Sequence, residues 1–358
     1  MGDVTAGLVD AHHHLYSALA RGMAGPRTAP VDFPDMLSRV WWRLDAALDA
    51  DAIHWSAMLG AVEALMAGTT CILDHHESPR AIEGSLETIH RACAAVGVRV
   101  CTAYGATDRW ADDGSLRRRV APSTPMTRAA AEGLAECERT ARAGLRTMVG
   151  LHAAFTCGDE TLAAAADLAR RLGVGVHVHV AEAVDDADAA ARLAPHAADD
   201  WLLVHCVHLD RPLRGRIVHN PRSNMKNAVG YARPTRWANP VLLGSDGIGA
   251  DMMEEARLAF ARLNEAEPHA PATTVAGWLE ASRDAFPESR RDRVTWSYDH
   301  ADDAWRSVYT PGMRALRVEM DGEKVLEDGR PTRVDLDEVR AKAAEAARAL
   351  HARIEATP

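Results

Sequence analysis

Eight short runs of apolar and β-branched residues recur along the chain, and most are separated by stretches rich in Ala, Leu and Arg. The runs are 7–11, 69–74, 97–104, 147–152, 174–180, 201–205, 216–219 and 241–246. The stretches 51–66, 80–95, 127–143 and 161–171 carry apolar residues at helical spacing. Strands that alternate with helices indicate parallel βαβ units. Eight such units predict an α/β fold, a (β/α)8 TIM-like barrel.

The end of the chain has a different pattern. Residues 315–320 and 323–327 flank Asp321-Gly322, a dipeptide typical of a tight hairpin turn. The stretch 335–355 predicts a long helix, with Val339, Ala343, Ala346, Leu350 and Ile354 on one stripe. We therefore expect a barrel domain over 7–312, and a β-hairpin and C-terminal helix over 313–358 packed on the barrel.

Composition excludes several classes of protein. Among 358 residues, 41 are Lys or Arg and 51 are Asp or Glu, which gives a net charge of −10. A nucleic-acid binder needs a basic surface, so we expect no nucleic-acid partner. No apolar run is long enough for a membrane helix, the N-terminus has no signal-peptide pattern, and the six cysteines form no CxxC pair. The sequence predicts a cytoplasmic protein that acts on a small molecule.

Histidine and aspartate residues lie at the C-terminal ends of the predicted strands. They are His14, Asp74, His152, His179, His205, His219 and Asp246. In a barrel of parallel strands this end carries the chemistry. Strands often end in polar residues for purely structural reasons, but five histidines in this position indicate a functional site.

Two pairs of histidines have the spacing of metal ligands on a strand. Residues two apart share one face, so His12 and His14 point to the same side. His177 and His179 do so as well, with His179 nearer the end of its strand. Neutral imidazole binds Zn2+ or Fe2+ well. Glu182, three residues after His179, is placed to move a proton of a metal-activated water.

The loops that follow the second to fourth strands are expected to line the substrate pocket, and the segment HNPRSN supplies neutral donors and acceptors. The candidate substrate-binding residues are His75, His76, Tyr104, Arg109, Trp110, His152 and Asn224. The basic run Arg117–Arg119 has two interpretations: it recruits a carboxylate of the substrate, or it is a solvated basic face.

The motifs DAHHH, HVHVAE, HCVHL, HNPRSN and LGSDG, in this order, resemble those of the amidohydrolase superfamily. The resemblance is to its aminohydrolase/chlorohydrolase branch, which contains the cytosine and guanine deaminase-like enzymes. The segments DAHHHLYSALARGM, VHNPRSNMKNAVG and GSDGIGADM are most similar to aminohydrolases linked to selenium metabolism and purine breakdown. Members usually have a longer segment before the HxH strand, so we expect an N-terminally reduced member.

The resemblance implies a role for each matched residue. The implied metal ligands are His12, His14, His179 and Asp246. Glu182 is implied as the acid/base, His205 as the group that polarises substrate or water, and Asp246 also as a proton acceptor. Members with two metals have a carboxylated lysine at the end of the fourth strand, and residues 150–152 contain none. We therefore expect one divalent metal ion, Zn2+ in preference to Fe2+.

The predicted function is a mononuclear metal-dependent aminohydrolase. It would deaminate a small N-heterocyclic, guanidino or amidine-type substrate. Three alternatives remain open: a ring-opening cyclic amide or imine hydrolase, a dechlorinating hydrolase with the same site, and a non-catalytic metal- or ligand-binding relative. Short connections over 183–219 predict uncovered apolar barrel surface, which a homodimer would bury unless the C-terminal helix covers it.

Overall fold

The computed structural model describes residues 3–356. The strands are β1 Val4–Thr5, β2 Leu8–His14, β3 Thr69–His76, β4 Arg99–Ala106, β5 Val149–Ala153, β6 Val176–Val180, β7 Leu202–His205, β8 Arg216–His219, β9 Val241–Leu243, β10 Asp246–Gly247, β11 Arg293–Trp296, β12 Ala315–Met320, β13 Glu323–Glu327 and β14 Arg330–Pro331. The α-helices are α1 Phe33–Met36, α2 Trp42–Ala47, α3 Ala50–Met66, α4 Ser85–Val96, α5 Arg128–Arg142, α6 Asp159–Leu172, α7 Ala189–Leu193, α8 Pro221–Lys226, α9 Met252–Ala266, α10 Ala272–Ser282, α11 Ala304–Tyr309 and α12 Leu336–Ala356.

The main sheet is parallel and closes into a barrel. Its strand order is β10-β2-β3-β4-β5-β6-β7-β8-β9. Only Gly244 and Ser245 separate β9 from β10, so these two short strands are halves of one barrel strand. The Gly244 N–H donates to the His219 carbonyl on β8, and the Ser245 N–H donates to the His12 carbonyl on β2, both at 3.0 Å. The sheet fits the predicted TIM-like barrel, and each of the eight predicted runs overlaps a barrel strand.

The outer ring of helices is uneven. The four helices predicted between the early strands are present as α3 to α6. Between β7 and β8, where every residue is described, the chain forms turns without an α-helix. The helices on either side of this connection, α7 and α8, have five and six residues. The ring is therefore thinnest around β7, where the predicted connections are also the shortest.

A second, antiparallel sheet has the strand order β1-β11-β12-β13-β14. The predicted hairpin is present as β12 and β13, at the predicted bounds, with positive φ at Asp321 and Gly322 in its turn. The hairpin does not stand alone, because β11 pairs with β12 and β1 pairs with β11. With two and four residues, β1 and β11 are too short to show a periodic pattern.

The C-terminal helix α12 packs on the barrel through its predicted apolar stripe. Leu350 has no exposed surface, and Val339, Ala343 and Ile354 are buried with it in the main core. The helix lies against α3. The apolar stripe of α12 is thus covered within one chain. The homodimer stays a prediction, and it would have to bury other apolar surfaces of the barrel. None of the described helices is long and apolar enough to span a membrane.

We expect Leu350→Ala to lower the free energy of unfolding by about 2–5 kcal/mol, because the truncation leaves a cavity between α12 and the barrel. Arg348→Ala changes an exposed residue two positions away and serves as the matched control. Urea denaturation of both variants measures the difference. Equal, small effects would show that α12 adds little to the stability of the barrel.

Candidate metal centre and active site

The ends of three barrel strands, β2, β6 and β10, bring three imidazoles and one carboxylate together. His14 Nε2 lies 3.2 Å from Asp246 Oδ1, and His12 Nε2 lies 3.5 Å from the same oxygen. His179 Nε2 lies 3.3 Å from His14 Nε2. All four side chains are buried. Donor atoms of His12, His14 and Asp246 form one group that could hold a metal ion, and His179 belongs to two further groups, one with His12 and one with His14. The residues implied as metal ligands by the sequence resemblance therefore lie close together.

Hydrogen bonds to main-chain carbonyls fix the tautomers of two of these histidines. His14 Nδ1 lies 2.6 Å from the His75 carbonyl oxygen, and His179 Nδ1 lies 2.7 Å from the His152 carbonyl oxygen. A carbonyl oxygen can only accept, so each Nδ1 carries the hydrogen. In the neutral ring Nε2 then has a free lone pair, and it faces the centre of the site. This orientation of imidazole ligands by an outer hydrogen bond is typical of metal sites.

The third imidazole, His12, is held by another histidine. His12 Nδ1 lies 2.8 Å from His177 Nε2, and both rings are buried. His12 Nε2 has no hydrogen-bond partner among the described residues although it is fully buried. A buried nitrogen without a partner is costly, and a bound cation would satisfy it. The donor set therefore fits a divalent metal. His177 supports His12 from behind, on the same inward face that the sequence predicts for it.

The fourth ligand, Asp246, is held by residues of the HNPRSN segment. Ser223 Oγ donates to Asp246 Oδ2, which leaves Oδ1 to face the imidazoles. Arg222 donates to the Ser245 and Gly247 carbonyls on either side of Asp246, and it forms an ion pair with Glu255. Burial alone would raise the pKa of Asp246, but the neighbouring His12 and His14 rings hold it well below its usual range. Asp246 is therefore a preorganised anion.

The candidate acid/base residues lie beside the ligands. His205 Nε2 is 3.5 Å from Glu182 Oε2 and 3.7 Å from Asp246 Oδ2. Burial raises the pKa of Glu182 to about 7, despite the nearby His205. A carboxyl group with such a pKa can both take up and release a proton near neutral pH. Glu182, His205 and Asp246, predicted as the catalytic residues, are thus brought together.

Asn224, predicted to bind substrate, instead contacts His205. Its Oδ1 lies 2.8 Å from His205 Nδ1, and its side chain is buried behind that ring. The amide oxygen accepts the Nδ1 hydrogen, so Nε2 of His205 faces Glu182 and Asp246. Asn224 orients the His205 ring and does not line the cavity.

Most of the other predicted substrate residues also lie behind the cavity wall. His152 does line the cavity, next to His179. His75 Nε2 is 3.1 Å from the Leu151 carbonyl oxygen, and its ring packs beneath the ligand histidines. His76 Nε2 is 2.9 Å from Ser78 Oγ, and the Tyr104 hydroxyl accepts from the Ser78 N–H. The positions of His75, His76 and Tyr104 do not support direct contact with substrate.

Arg109 and Trp110 follow β4 and are also not part of the cavity lining. Arg109 is fully buried in ion pairs with Asp45 and Glu77. Trp110 packs against a small cluster around Trp42. The loop after β4 was expected to provide direct contacts, but it reaches the cavity only through these buried partners.

One wall of the cavity, formed by the segment between β2 and α3, is not predicted from the sequence. Its lining residues are Tyr16, Phe33, Leu37, Trp41, Trp42 and Asp45. The adjacent tryptophans in an otherwise unassigned segment were the available signal. Nothing in the periodicity places this segment over the barrel mouth, because it belongs to no βα unit.

The basic run after β4 is engaged in pairs with protein groups. Arg118 lies 2.7 Å from Asp35 of α1, and Arg119 lies 3.5 Å from Asp188. Arg117 donates to the Asp108 carbonyl oxygen. The run ties the loop after β4 to the segments on both sides of the cavity, so the expected recruitment of a substrate carboxylate gains no support from its position.

Sequence similarity agrees with this geometry. The chain is 29% identical over 285 residues to the 5-methylthioadenosine/S-adenosylhomocysteine deaminase of Caldanaerobacter subterraneus, which is 73% of this chain and 61% of that protein. It is 31% identical over 303 residues to the 5'-deoxyadenosine deaminase of Methanopyrus kandleri, covering 75% of this chain and 64% of that protein. The match thus spans less than two thirds of the length of these curated relatives.

The fold is shared with solved structures. An adenosine deaminase from Xanthomonas campestris, solved with bound zinc, superposes with a TM-score of 0.79 at 20% identity, covering 99% of this chain and 86% of that one. At this identity the likeness concerns the fold. The sequence profile of the amidohydrolase family matches residues 4–276, which contain every residue of the metal centre. The chain belongs to the amidohydrolase family.

Proposed function

We propose that this chain is a mononuclear metal-dependent aminohydrolase that releases ammonia from an amino-substituted N-heterocyclic or amidine-type substrate. One observation carries the proposal: a carboxyl group with a pKa near 7, Glu182, lies beside His12, His14, His179 and Asp246, whose donor atoms occur in overlapping groups that could hold a metal ion. Relatives with about 30% identity are named as deaminases of 5-methylthioadenosine and 5'-deoxyadenosine. These names favour an N-heterocycle over an open-chain guanidine.

The ion is proposed to be a single Zn2+, held by His12, His14, His179 and Asp246. Imidazole and carboxylate donors suit zinc, and Fe2+ accepts the same set. The end of β5 has Leu151 and His152 where a two-metal site would need a lysine. When bound, the metal supplies Lewis acidity, which makes water a competent nucleophile near neutral pH.

The protein groups then move the protons. Glu182 in its ionised form takes a proton from the attacking water. With a pKa of about 7 it returns that proton to the leaving nitrogen, so that ammonia departs as a neutral molecule. Asp246 keeps its charge throughout, because its pKa lies well below the usual range. It therefore orients the water and does not act as the principal proton store.

His205 stabilises the charge that develops on the substrate. Asn224 accepts the hydrogen on Nδ1, so a protonated ring donates from Nε2 into the site. The carboxyl groups of Glu182 and Asp246 both lie within 4 Å of Nε2. Such a preorganised donor is worth most where charge appears in the transition state.

We expect Glu182→Gln to lower kcat about 100-fold or more, because it removes the acid/base while leaving the metal ligands intact. An ammonia-release assay with aminopurine nucleosides, aminopyrimidines, aminotriazines and amidines measures it. Asp188→Asn, which removes one exposed carboxylate from the same loop, is the matched control and should keep the parent rate.

Retention of near-parent turnover in Glu182→Gln would assign the proton transfer to Asp246. Release of halide, or of a ring-opened product without ammonia, would instead select one of the alternative hydrolase activities with the same site.

The metal content is expected to be about one equivalent of zinc per chain in the parent protein. His179→Ala should lose most of it, whereas His196→Ala, outside the site, should retain it. Elemental analysis after gel filtration measures both. Removal of the metal by a chelator should also lower Tm, because an ion at 100 times its Kd stabilises the folded state by about 2.7 kcal/mol. Two tightly held ions per chain would contradict the single-ion centre.

A further inference from the structure

A second polar cluster opens on the same cavity and takes no part in the proton transfers above. It consists of Asp45 on α2, Glu77 directly after β3, and Arg109 after β4. Arg109 Nη2 lies 2.6 Å from Asp45 Oδ2 and also pairs with Glu77. Each of the three residues is at least 97% buried. Asp45 and Glu77 line the cavity, and Arg109 lies behind them.

This cluster holds more carboxyl groups than cationic groups. Two carboxyl groups share one guanidinium, and no other Lys or Arg pairs with either of them among the described residues. Within the same range, Asp45 Oδ1 has no hydrogen-bond partner. Glu77 Oε1 faces His152 Nε2 at 3.8 Å and His75 Nδ1 at 3.9 Å, both beyond hydrogen-bond distance. Burial, with Glu77 as the next cause, raises the pKa of Asp45 to about 8. A ligand with positive charge would satisfy these carboxyl groups.

The walls next to the cluster suit a cation as well. The cavity is lined there by Trp41, Trp42 and Phe155. Trp42 already lies against the Arg109 guanidinium, with Cζ at 5.1 Å from the ring centre. Aromatic faces attract cations, and more strongly where water is excluded. A flat, delocalised cation would therefore contact both the carboxyl groups and the aromatic wall.

The cluster lies one aromatic ring away from the metal ligands. The Tyr16 ring is 5.4 Å from that of His14, and the His152 ring is 5.5 Å from that of His179. Tyr16 and His152 line the cavity together with Asp45 and Glu77. A substrate with its reacting carbon beside Glu182 can therefore extend along these rings to the carboxyl groups.

We propose that the substrate of this enzyme carries, besides the amino group that is hydrolysed, a positively charged nitrogen group that binds to Asp45 and Glu77. An amidinium or guanidinium fits best, because its parallel N–H donors match carboxylate oxygens. The inference rests on the proposed aminohydrolase function and narrows its substrate class. Asp45 and Glu77 are the specificity-determining residues, and Arg109 is a positioning residue that pairs with both of them.

The test compares benzamidinium with benzamide, a neutral ligand of nearly the same shape. Isothermal titration calorimetry on the zinc-loaded Glu182→Gln protein gives both Kd values without turnover. We expect benzamidinium to bind at least about tenfold more tightly. Adding Asp45→Asn or Glu77→Gln should remove most of this preference and leave the Kd of benzamide unchanged. Asp188→Asn, which removes an exposed carboxylate outside the cluster, should keep the preference.

Equal affinity for the two ligands, or a preference that persists in both variants of the cluster, would overturn the proposal and leave the cluster a structural one. If a cluster variant fails to fold, the comparison of benzamidinium with benzamide in the Glu182→Gln protein still tests the proposal. A separate assay measures ammonia release by the protein with Glu182 intact. A cation preference without ammonia release from any cationic amino-heterocycle would disprove the aminohydrolase and leave a cation-binding site.

Discussion

The Asp10 carboxylate joins the first and last strands of the barrel at the level of the metal centre. Its Oδ1 accepts hydrogen bonds from the backbone N–H groups of Ser245 and His12, and its Oδ2 accepts from the Ser245 hydroxyl. His12 lies two residues after Asp10, and Asp246 directly follows Ser245. One buried carboxyl group therefore sets the register between two candidate metal ligands, His12 and Asp246, that lie more than 230 positions apart in the chain.

Closure at this point also requires Gly244. A side chain there would collide with Asn220 and His12, so the last strand could not approach β2 closely enough for its amides to pair. The strand is interrupted at Gly244 and Ser245, and Asp246 resumes with a positive φ that turns its carboxylate inward. The metal centre and the closed barrel are consequences of the same local geometry.

The sequence could predict the positions of residues that depend on the alternation of side chains along a strand and on where each strand ends. His12 and His14 share a face because they are two residues apart, and Glu182 lies above His179 because the strand ends between them. The cavity wall could not be predicted in this way. Trp42 and Asp45 belong to a segment that contains no barrel strand. Arg109 contacts Asp45 although these two residues are 64 positions apart in the chain. Asn224 has the right chemistry for a substrate ligand, and only its bond to His205 shows that it acts on another side chain.

The C-terminal helix α12 is attached to the wall of the cavity at the barrel mouth. Arg353 on α12 donates to the Ala47 carbonyl at the end of α2, and Arg43 on α2 donates to the Ile354 carbonyl. The same short helix carries Trp42 and Asp45. Sequence drift in the last twenty residues can therefore shift the aromatic and acidic wall without changing a metal ligand. Related proteins could in this way acquire new ligand preferences through a helix that does not itself line the cavity.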